Sequence, residues 1–199
     1  MTDVVLTRAD QQRERVLSLS AEIFSRRGFR ATSMNEIAAA VGLSKPTLYH
    51  YFRSKEELLV RIYSDVLDES RVLAEEVVAQ APTAFAAIRE LISSRVAYTC
   101  RHQELLKVCF EEEHELPADL AEHLLMRRHA FEDLFLSALN RHLDEHPEIA
   151  IGMTPRVYVN MCLGAVNWTY KWFRASGPAT PEQLGEQMAA SLTASLEPA

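Results

Sequence analysis

The sequence predicts an all-α protein, and three observations carry that prediction. Only 6 of the 199 residues are glycine, and no Asn-Gly or Asp-Gly hairpin turn occurs. Apolar residues recur at helical spacing along most of the chain. Ser or Thr followed three residues later by Glu or Gln repeatedly marks a helix start. The composition, 48% apolar and 25% charged, is that of an ordinary globular chain and excludes disordered, collagen-like and disulfide-scaffold classes.

The first predicted helix runs from about Arg8 to Arg27, and Gly28 ends it. Three helix starts then follow in close succession, at Ser33, Ser44 and Ser54. Because those starts are so near one another, the helices between them are only about two turns long.

After Ser54 the predicted helices lengthen, and prolines or glycines separate them. Their approximate bounds are 55–80, 83–101, 103–115, 117–146, 155–175 and 181–196.

The short helices around residue 44 carry an unusual surface. Leu48 and Phe52 are four residues apart, so they share one face and pack inward. Two short helices joined by a turn at Gly42 form a helix-turn-helix. The second helix then exposes hydrogen-bonding and aromatic groups of the kind that reads base edges in a major groove: Lys45, Thr47, Tyr49, His50 and Tyr51. The alternative is a small helical subdomain whose surface aromatics are there by chance.

The charge distribution supports the DNA-binding interpretation. Taken whole, the net charge of 21 − 28 = −7 argues against a nucleic-acid partner. Residues 1–55, however, carry 9 basic and 5 acidic side chains, or +4, and residues 56–199 carry 12 and 23, or −11. The basic part contains the helix-turn-helix, as attraction to a phosphate backbone requires.

The segment from Thr32 to Leu59, T-S-M-N-E-I-A-A-A-V-G-L-S-K-P-T-L-Y-H-Y-F-R-S-K-E-E-L-L, closely resembles the N-terminal DNA-binding segment of TetR-family transcriptional regulators. The preceding F-S-R-R-G-F-R-A-T, from Phe24, is similar to the end of that family's first helix and the turn after it. One departure is Pro46, where many members carry Gly. Proline is still compatible with the first turn of a helix.

This resemblance implies an all-helical subunit of about nine helices that forms a homodimer on a palindromic double-stranded DNA operator. Residues 1–54 would form the helix-turn-helix DNA-binding domain, and residues 55–199 the ligand-binding and dimerisation domain. The last two helices would form the dimer interface as a four-helix bundle. The implied function is a regulator, in the repressor role, that a small hydrophobic or acyl-CoA-type ligand releases by shifting the fourth helix and respacing the two reading helices.

Carried over residue by residue, the resemblance implies three groups of DNA contacts. Thr47, Tyr49 and His50 would contact bases, and Lys45 and Tyr51 would contact base edges or phosphate. The helix N-termini at Ser33 and Ser44 would bind phosphate through their N–H groups. Lys55 would also face phosphate.

The segment from Gly164 to Leu184 resembles TetR-family members that sense CoA thioesters of fatty, aromatic or steroid-derived acids. Trp168 and Trp172 share one helix face there, and dimer packing is the alternative for both. The candidate partners for CoA phosphates are Arg127, Arg128, Lys171 and Arg174. The alternative is that these four side chains are solvated surface charges. The alternative function is a drug-responsive repressor of an efflux system.

The effector pocket is expected among the central helices, where pattern does not separate pocket from core. The candidate ligand-binding residues are Tyr98, Phe110, Met126, Phe131, Tyr158, Cys162 and Trp168, with Cys109, Phe135 and Met161 as further candidates.

Other site classes are less favoured. His142 and His146 share a helix face, and His114, His123 and His129 accompany the acidic run 111–115, but these groups also suit solvated helix ends. We therefore expect no metal and no cofactor. The sequence contains no G-x-S-x-G, P-loop, H-E-x-x-H or dinucleotide motif, so a small helical enzyme is the least favoured class.

The compartment expected is the cytoplasm. The three cysteines, Cys100, Cys109 and Cys162, are odd in number and lack C-x-x-C spacing, which suits a reducing environment. The first thirty residues lack the apolar run of a secretory signal, and no segment approaches the ~20 apolar residues that span a bilayer. No membrane partner is expected.

Overall fold

The computed structural model describes residues 7–197, so the outermost residues of both predicted domains, 1–6 and 198–199, lie outside the described part. Within it, the secondary structure is helical and contains no strand, which confirms the all-α prediction.

The helices follow the predicted order closely. In chain order they are α1 (Arg8–Arg27), α2 (Met34–Val41), α3 (Lys45–Tyr51), α4 (Lys55–Gln80), α5 (Ala84–Arg101), α6 (Gln103–Glu111), α7 (Ala118–Glu145), α8 (Pro155–Asn167), α9 (Thr169–Trp172) and α10 (Pro181–Thr193). Two 3₁₀ turns lie at Glu113–Glu115 and Ala194–Leu196. Only Trp168, itself in the right-handed helical region, separates α8 from α9. Counting those two segments as one gives nine helices in the described residues.

Side-chain caps set the starts of the short helices. The Ser33 Oγ accepts from the Glu36 N–H at 3.3 Å, and the Glu36 carboxylate accepts from the Ser33 N–H at 2.8 Å. This reciprocal pair satisfies donors that the first turn of α2 leaves without partners. Between α2 and α3, Gly42 adopts φ +74°, a left-handed conformation that glycine takes without steric cost.

The described chain divides into two compact units. Unit 1 comprises residues up to Val66 together with Glu104–His123, and unit 2 comprises Leu67–Gln103 with the residues from Leu124 onward. In unit 1, Leu48 is 0% and Phe52 3% exposed, which confirms that both are core residues.

The core of unit 2 draws side chains from α5, α7, α8 and α10. Helix α10 approaches α5 closely at Gly185, where an added Cβ would lie 2.5 Å from the Ser93 carbonyl oxygen. Only glycine permits that separation, since no heavy-atom contact of a real Cβ is so short.

We therefore expect Gly185→Ala to lower the free energy of unfolding by about 1–3 kcal/mol, because α10 must move off α5. The change can be measured by urea denaturation followed by circular dichroism at fixed protein concentration. The control is Glu186→Ala, which introduces alanine at the neighbouring position of α10. Because Glu186 is exposed, this change should alter the free energy of unfolding by less than about 0.5 kcal/mol. A Gly185→Ala protein as stable as this control would contradict the close approach.

Candidate nucleic-acid interface and effector cavity

Helix α3 presents its predicted contact residues to solvent. Lys45, Thr47, Tyr49 and His50 are exposed and Tyr51 is half-buried, while Leu48 is fully buried on the opposite face. Tyr49 exposes 40% of its surface, a large value for an aromatic side chain. The helix therefore offers one continuous polar and aromatic face.

Contacts within α3 order that face. The Lys45 ammonium lies 5.8 Å from the centroid of the Tyr49 ring, and the His50 and Tyr51 rings are 5.7 Å apart at a steep angle. The Ser44 Oγ accepts from the Thr47 N–H at 3.3 Å and lies 2.7 Å from the Thr47 hydroxyl oxygen. The hydroxyls at the start of α3 thus serve the cap, and its outermost groups are Lys45, Tyr49 and His50.

The N-terminus of α2 has the same construction. Its Ser33 hydroxyl both accepts from the Glu36 N–H and donates to the Glu36 carboxylate. The hydrogen bonds from Ser33 lower the pKa of that carboxyl. The phosphate contacts of Ser33 and Ser44 through backbone N–H groups stay predictions.

Lys55, a predicted phosphate contact, has partners within the chain. Its ammonium donates to the carbonyl oxygens of Phe29, Arg30 and Thr32, at 3.0, 3.3 and 3.3 Å. It also lies 4.4 Å from the Phe29 ring centroid. An ammonium has three N–H donors, so these carbonyls account for all of them. Lys55 therefore binds the α1–α2 connection, and its contact with phosphate stays a prediction.

A second set of long-range contacts in unit 1 reaches the same connection. The Glu112 carboxylate accepts from the Phe29 N–H at 3.0 Å, and the Lys107 ammonium donates to the Ser25 carbonyl at 2.5 Å. Arg30 pairs with Glu115 at 2.5 Å. Sequence reasoning missed these roles because the partners are more than eighty residues apart and the acidic run reads as a solvated helix end.

Two groups of possible metal ligands occur in the described residues: His142, Glu145 and His146, and Glu112, His114 and Glu115. In the second group Glu112 and Glu115 already bind the α1–α2 connection. In the first, the His142 Nε2 lies 2.7 Å from the Leu196 carbonyl oxygen. These contacts engage Glu112 and Glu115 of one group and His142 of the other.

Unit 2 contains a small cavity, with about 10 Å³ of space accessible to the centre of a water molecule. Helices α4, α5 and α7 line it, through Ser70, Leu73, Ala74, Leu91, Ser94, Arg95, Tyr98, Phe131 and Phe135. Tyr98 and Phe131, and Phe135 among the further candidates, therefore stand where the sequence predicted pocket residues.

The other predicted pocket residues lie elsewhere. Met126 and Trp168 are 57% and 59% exposed, so neither lines an internal cavity of the chain. Phe110 belongs to unit 1. Tyr158 and Cys162 are buried in the core, where burial raises the pKa of the Cys162 thiol to about 11. The different placements share one cause: helical periodicity does not distinguish a surface, a core and a cavity wall. The role of these residues toward a ligand stays a prediction.

The further candidates Cys109 and Met161 also lie outside that cavity. Cys109 is buried in unit 1, and Met161 is 46% exposed on α8.

Sequence reasoning missed the charged group of the cavity. Arg95 is 7% exposed, its Nη1 donates to the Ser70 hydroxyl at 2.6 Å, and its Nε donates to the Asn167 side-chain oxygen at 3.0 Å. In the sequence it is one of many arginines on amphipathic helices, so nothing marks it as buried.

The four candidate cations for CoA phosphates have contacts of their own. Arg127 pairs with Asp68, and Arg128 lies 3.9 Å from Glu132. Lys171 lies over the Trp168 and Tyr170 rings, and Arg174 donates to the Phe173 carbonyl at 2.9 Å. Their role toward a ligand stays a prediction.

An apolar stripe runs along the outer face of α8 and α9. Val157, Met161, Trp168 and Trp172 are 53%, 46%, 59% and 47% exposed, and Gly164 lies between them. Four large apolar side chains in one row exceed the scattered exposure of an ordinary surface. None of the described helices combines the length and apolarity that crossing a bilayer requires.

Two family profiles match the chain. The profile described as "Bacterial regulatory proteins, tetR family" matches residues 16–62, and "Tetracyclin repressor-like, C-terminal domain" matches residues 81–196, more than half of the chain. The first match contains the whole of α2 and α3.

Similar proteins match over nearly the full length. The HTH-type transcriptional repressor KstR2 of Mycobacterium tuberculosis is 28% identical over 204 residues, covering 93% of this chain and 92% of the relative. The crystal structure of AibR in complex with isovaleryl coenzyme A and operator DNA superposes with a TM-score of 0.80 at 25% identity, covering 90% and 97% of the two chains. A TetR-family regulator from Bordetella parapertussis gives a TM-score of 0.81 at 25% identity, covering 90% and 93%.

The two lysines of this region should respond differently to loss of charge. Lys55→Met leaves three carbonyls without their donor, so we expect the free energy of unfolding to fall by about 1–3 kcal/mol. Lys45→Met, at the exposed first residue of α3 in the same unit, should leave stability unchanged. Thermal unfolding of both variants measures this difference. Equal melting temperatures would contradict the structural role of Lys55.

Proposed function

Since the chain belongs to the tetR family of bacterial regulatory proteins, it is a DNA-binding transcriptional regulator, and we propose that it represses transcription from a palindromic operator until a small ligand releases it. The single observation that carries the proposal is the exposed face of α3 above its buried Leu48. The cytoplasm, where a bacterium keeps its DNA, is the compartment this function requires. The proposal assigns the chain no catalytic activity.

The chemistry of α3 suits a major groove. Tyr49 and His50 offer hydrogen-bonding groups on rigid rings, and Thr47 offers a methyl group for thymine contacts. Lys45 adds a cation that attracts either a guanine edge or a phosphate. Leu48 and Phe52 are buried and fix α3 against the core of unit 1. The exposed side chains of α3 therefore point in a defined direction.

Reading a palindrome requires two copies of α3 at a fixed separation, and the apolar stripe of α8 and α9 suits that requirement. A twofold pairing of the stripe would bury Met161 and Trp168 against a second copy, with Gly164 permitting a close approach. The exposure of both tryptophans in one protomer favours dimer packing as their role.

Helix α4 offers a route from ligand to DNA. Its first residue, Lys55, binds the α1–α2 connection. About four turns further along the same helix, Ser70, Leu73 and Ala74 line the cavity. A ligand that displaces the cavity wall would therefore act on the helix whose start anchors the DNA-binding residues. Release follows if the ligand binds the displaced state more tightly than the DNA-bound state.

For the ligand we propose a small hydrophobic or acyl-CoA-type molecule, since AibR is a similar protein whose structure holds isovaleryl coenzyme A and operator DNA. The cavity has only about 10 Å³ of space accessible to the centre of a water molecule, so it would have to widen to admit even the acyl part of such a ligand. The alternative is a drug-responsive repressor of an efflux system, which the apolar walls of the cavity also suit.

Tyr49→Ala should weaken binding to a DNA fragment selected by the unmodified protein by about 10- to 100-fold, the loss expected for one good base contact. Fluorescence anisotropy measures the affinity at one salt concentration. Met126→Ala, an exposed change on α7, is the control and should bind like the unmodified protein. Undiminished affinity of a folded Tyr49→Ala protein would sink the assignment of α3.

The dimer face predicts a second, independent outcome. Met161→Asp places a charge in the middle of the stripe, so sedimentation should show a shift from dimer to monomer without loss of helix content. The control is Met126→Asp. Met126 is also exposed but lies on α7, outside the stripe, so this variant should sediment as a dimer. If both variants stay dimeric, another surface makes the interface.

A further inference from the structure

The end of helix α7 carries three metal-ligating side chains in one short run. His142, Glu145 and His146 follow the spacing His-x-x-Glu-His, which places all three on one face of a helix. The His146 N–H donates to the His142 carbonyl at 3.0 Å, so the helical backbone pattern extends one residue beyond the end of α7. One nitrogen of each imidazole and one carboxylate oxygen of Glu145 lie within 4.8 Å of one another. Two imidazoles and a carboxylate form a ligand set that suits Zn²⁺.

The burial of His142 separates this group from an ordinary solvated helix end, which was the reason to expect no metal here. His142 is 1% exposed, and its ring lies 5.3 Å from the Phe85 ring of α5. The half-buried His146 ring lies 4.8 Å from it. Packing therefore fixes the position of one imidazole and places the second beside it.

The hydrogen bond of His142 leaves one ring nitrogen for a metal. Its Nε2 lies 2.7 Å from the Leu196 carbonyl oxygen, and a carbonyl only accepts, so Nε2 carries the proton and donates. In the neutral imidazole Nδ1 then keeps its lone pair, and no donor in the described part of the chain forms a hydrogen bond with it. The hydrogen bond to Leu196 thus fixes both the tautomer and the direction of the ring.

His146 has a matching arrangement. Its Nδ1 lies 3.2 Å from the Glu148 Oε1, and an ionised carboxylate only accepts, so Nδ1 is the donor and Nε2 keeps the lone pair. Histidines that bind a metal usually donate their other ring N–H to a carbonyl or a carboxylate, which orients the ring and raises its basicity. Here His142 has the carbonyl and His146 the carboxylate.

The charges around the two imidazoles favour a cation. Residues 141–148 contain one basic and three acidic side chains, or 1 − 3 = −2. The C-terminal end of α7 adds the negative end of the helix dipole. Arg89, one turn from Phe85 on α5, pairs with Glu197 at 3.8 Å, so its charge is balanced nearby.

We propose that His142, Glu145 and His146 bind one Zn²⁺ ion at the end of α7. Nδ1 of His142, Nε2 of His146 and one oxygen of Glu145 are the ligands, and water takes the fourth position. Ligands of tetrahedral zinc lie about 3.3 Å apart, closer than the 4.8 Å limit in the ion-free chain. Glu145 is exposed and forms no hydrogen bond or ion pair with the residues described, so its side chain can rotate to close the difference.

The ion would fasten two parts of unit 2 together. Zinc on Nδ1 withdraws charge from the imidazole and strengthens the Nε2–H donor toward Leu196, in the 3₁₀ turn Ala194–Leu196. The end of α7 and the last turn of the chain are thereby stabilised. This proposal goes beyond the proposed function and does not depend on it.

The test is equilibrium dialysis of the full, untagged chain against ZnCl₂ in a buffer that does not bind metals. We expect one zinc per chain. His146→Gln should weaken zinc binding at least about tenfold, the loss already seen when a group that only orients a ligand is removed. The matched control is His114→Gln, an exposed histidine of the other acidic group, and it should bind zinc like the unmodified chain.

Thermal unfolding gives a second readout that does not use a variant. Zinc at about a hundredfold excess over its dissociation constant should raise the melting temperature by about 5 °C or more. Mg²⁺ at the same concentration should not, because it prefers oxygen ligands to imidazole.

Four results would overturn the proposal. They are no stoichiometric zinc binding, equal stabilisation by Mg²⁺, unchanged affinity in His146→Gln, and loss of binding in His114→Gln. DNA binding is measured separately, so its absence would count against the proposed operator function and leave the zinc site unaffected.

Discussion

The exposed face of α3 depends on the hydrogen bonds that the Lys55 ammonium donates to the α1–α2 connection. Helices α2 and α3 are 8 and 7 residues long, too short to be stable in isolation. Their orientation must come from packing and from the chain that leads into them. Lys55 donates to three carbonyls in that segment, those of Phe29, Arg30 and Thr32, at 3.0–3.3 Å, and its ammonium lies 4.4 Å from the Phe29 ring centroid. The first residue of α4 thereby sets where α2 begins.

That connection is held from two sides, for one physical reason. The end of α1 and the turn after it leave backbone groups that no helix satisfies. Lys55 takes carbonyls of the turn, while Glu112 takes the Phe29 N–H and Lys107 takes the Ser25 carbonyl. Each bond is worth only about 1 kcal/mol, but losing a partner leaves an unsatisfied group and costs more. Side chains of α4 and of the α6 region therefore both determine the path into α2, and movement in either would reach α3.

Local chemistry decided what could be predicted from the sequence. The capping pairs at Ser33 and Ser44, the turn at Gly42 and the inward faces of Leu48 and Phe52 depend on residues within a few positions of one another, and the structure has them as predicted. Lys55 and Arg95 depend on partners 23 to 72 residues away, which periodicity does not encode. Met126 and Trp168 are exposed and do not line the cavity of unit 2, for the same reason: an apolar residue on a helix faces a core, a cavity or a partner with one and the same pattern.

Three cations of this chain show why the environment, and not the residue type, assigns a role. Lys45 is exposed beside an aromatic ring, so its charge is available to a partner as large as DNA. The Lys55 ammonium donates to three backbone carbonyls of its own chain, so its charge stabilises the α1–α2 connection. Arg95 is buried at a cavity wall and donates to Ser70 and Asn167, so its charge acts where water is excluded. A net charge of −7, or even its division into +4 and −11, counts these three residues alike. Since a fixed charge acts more strongly where water is excluded, Arg95 interacts more strongly with its neighbours than an exposed cation does. The exposed cations suit a partner such as DNA, whose charged phosphate backbone stays largely hydrated when it is bound.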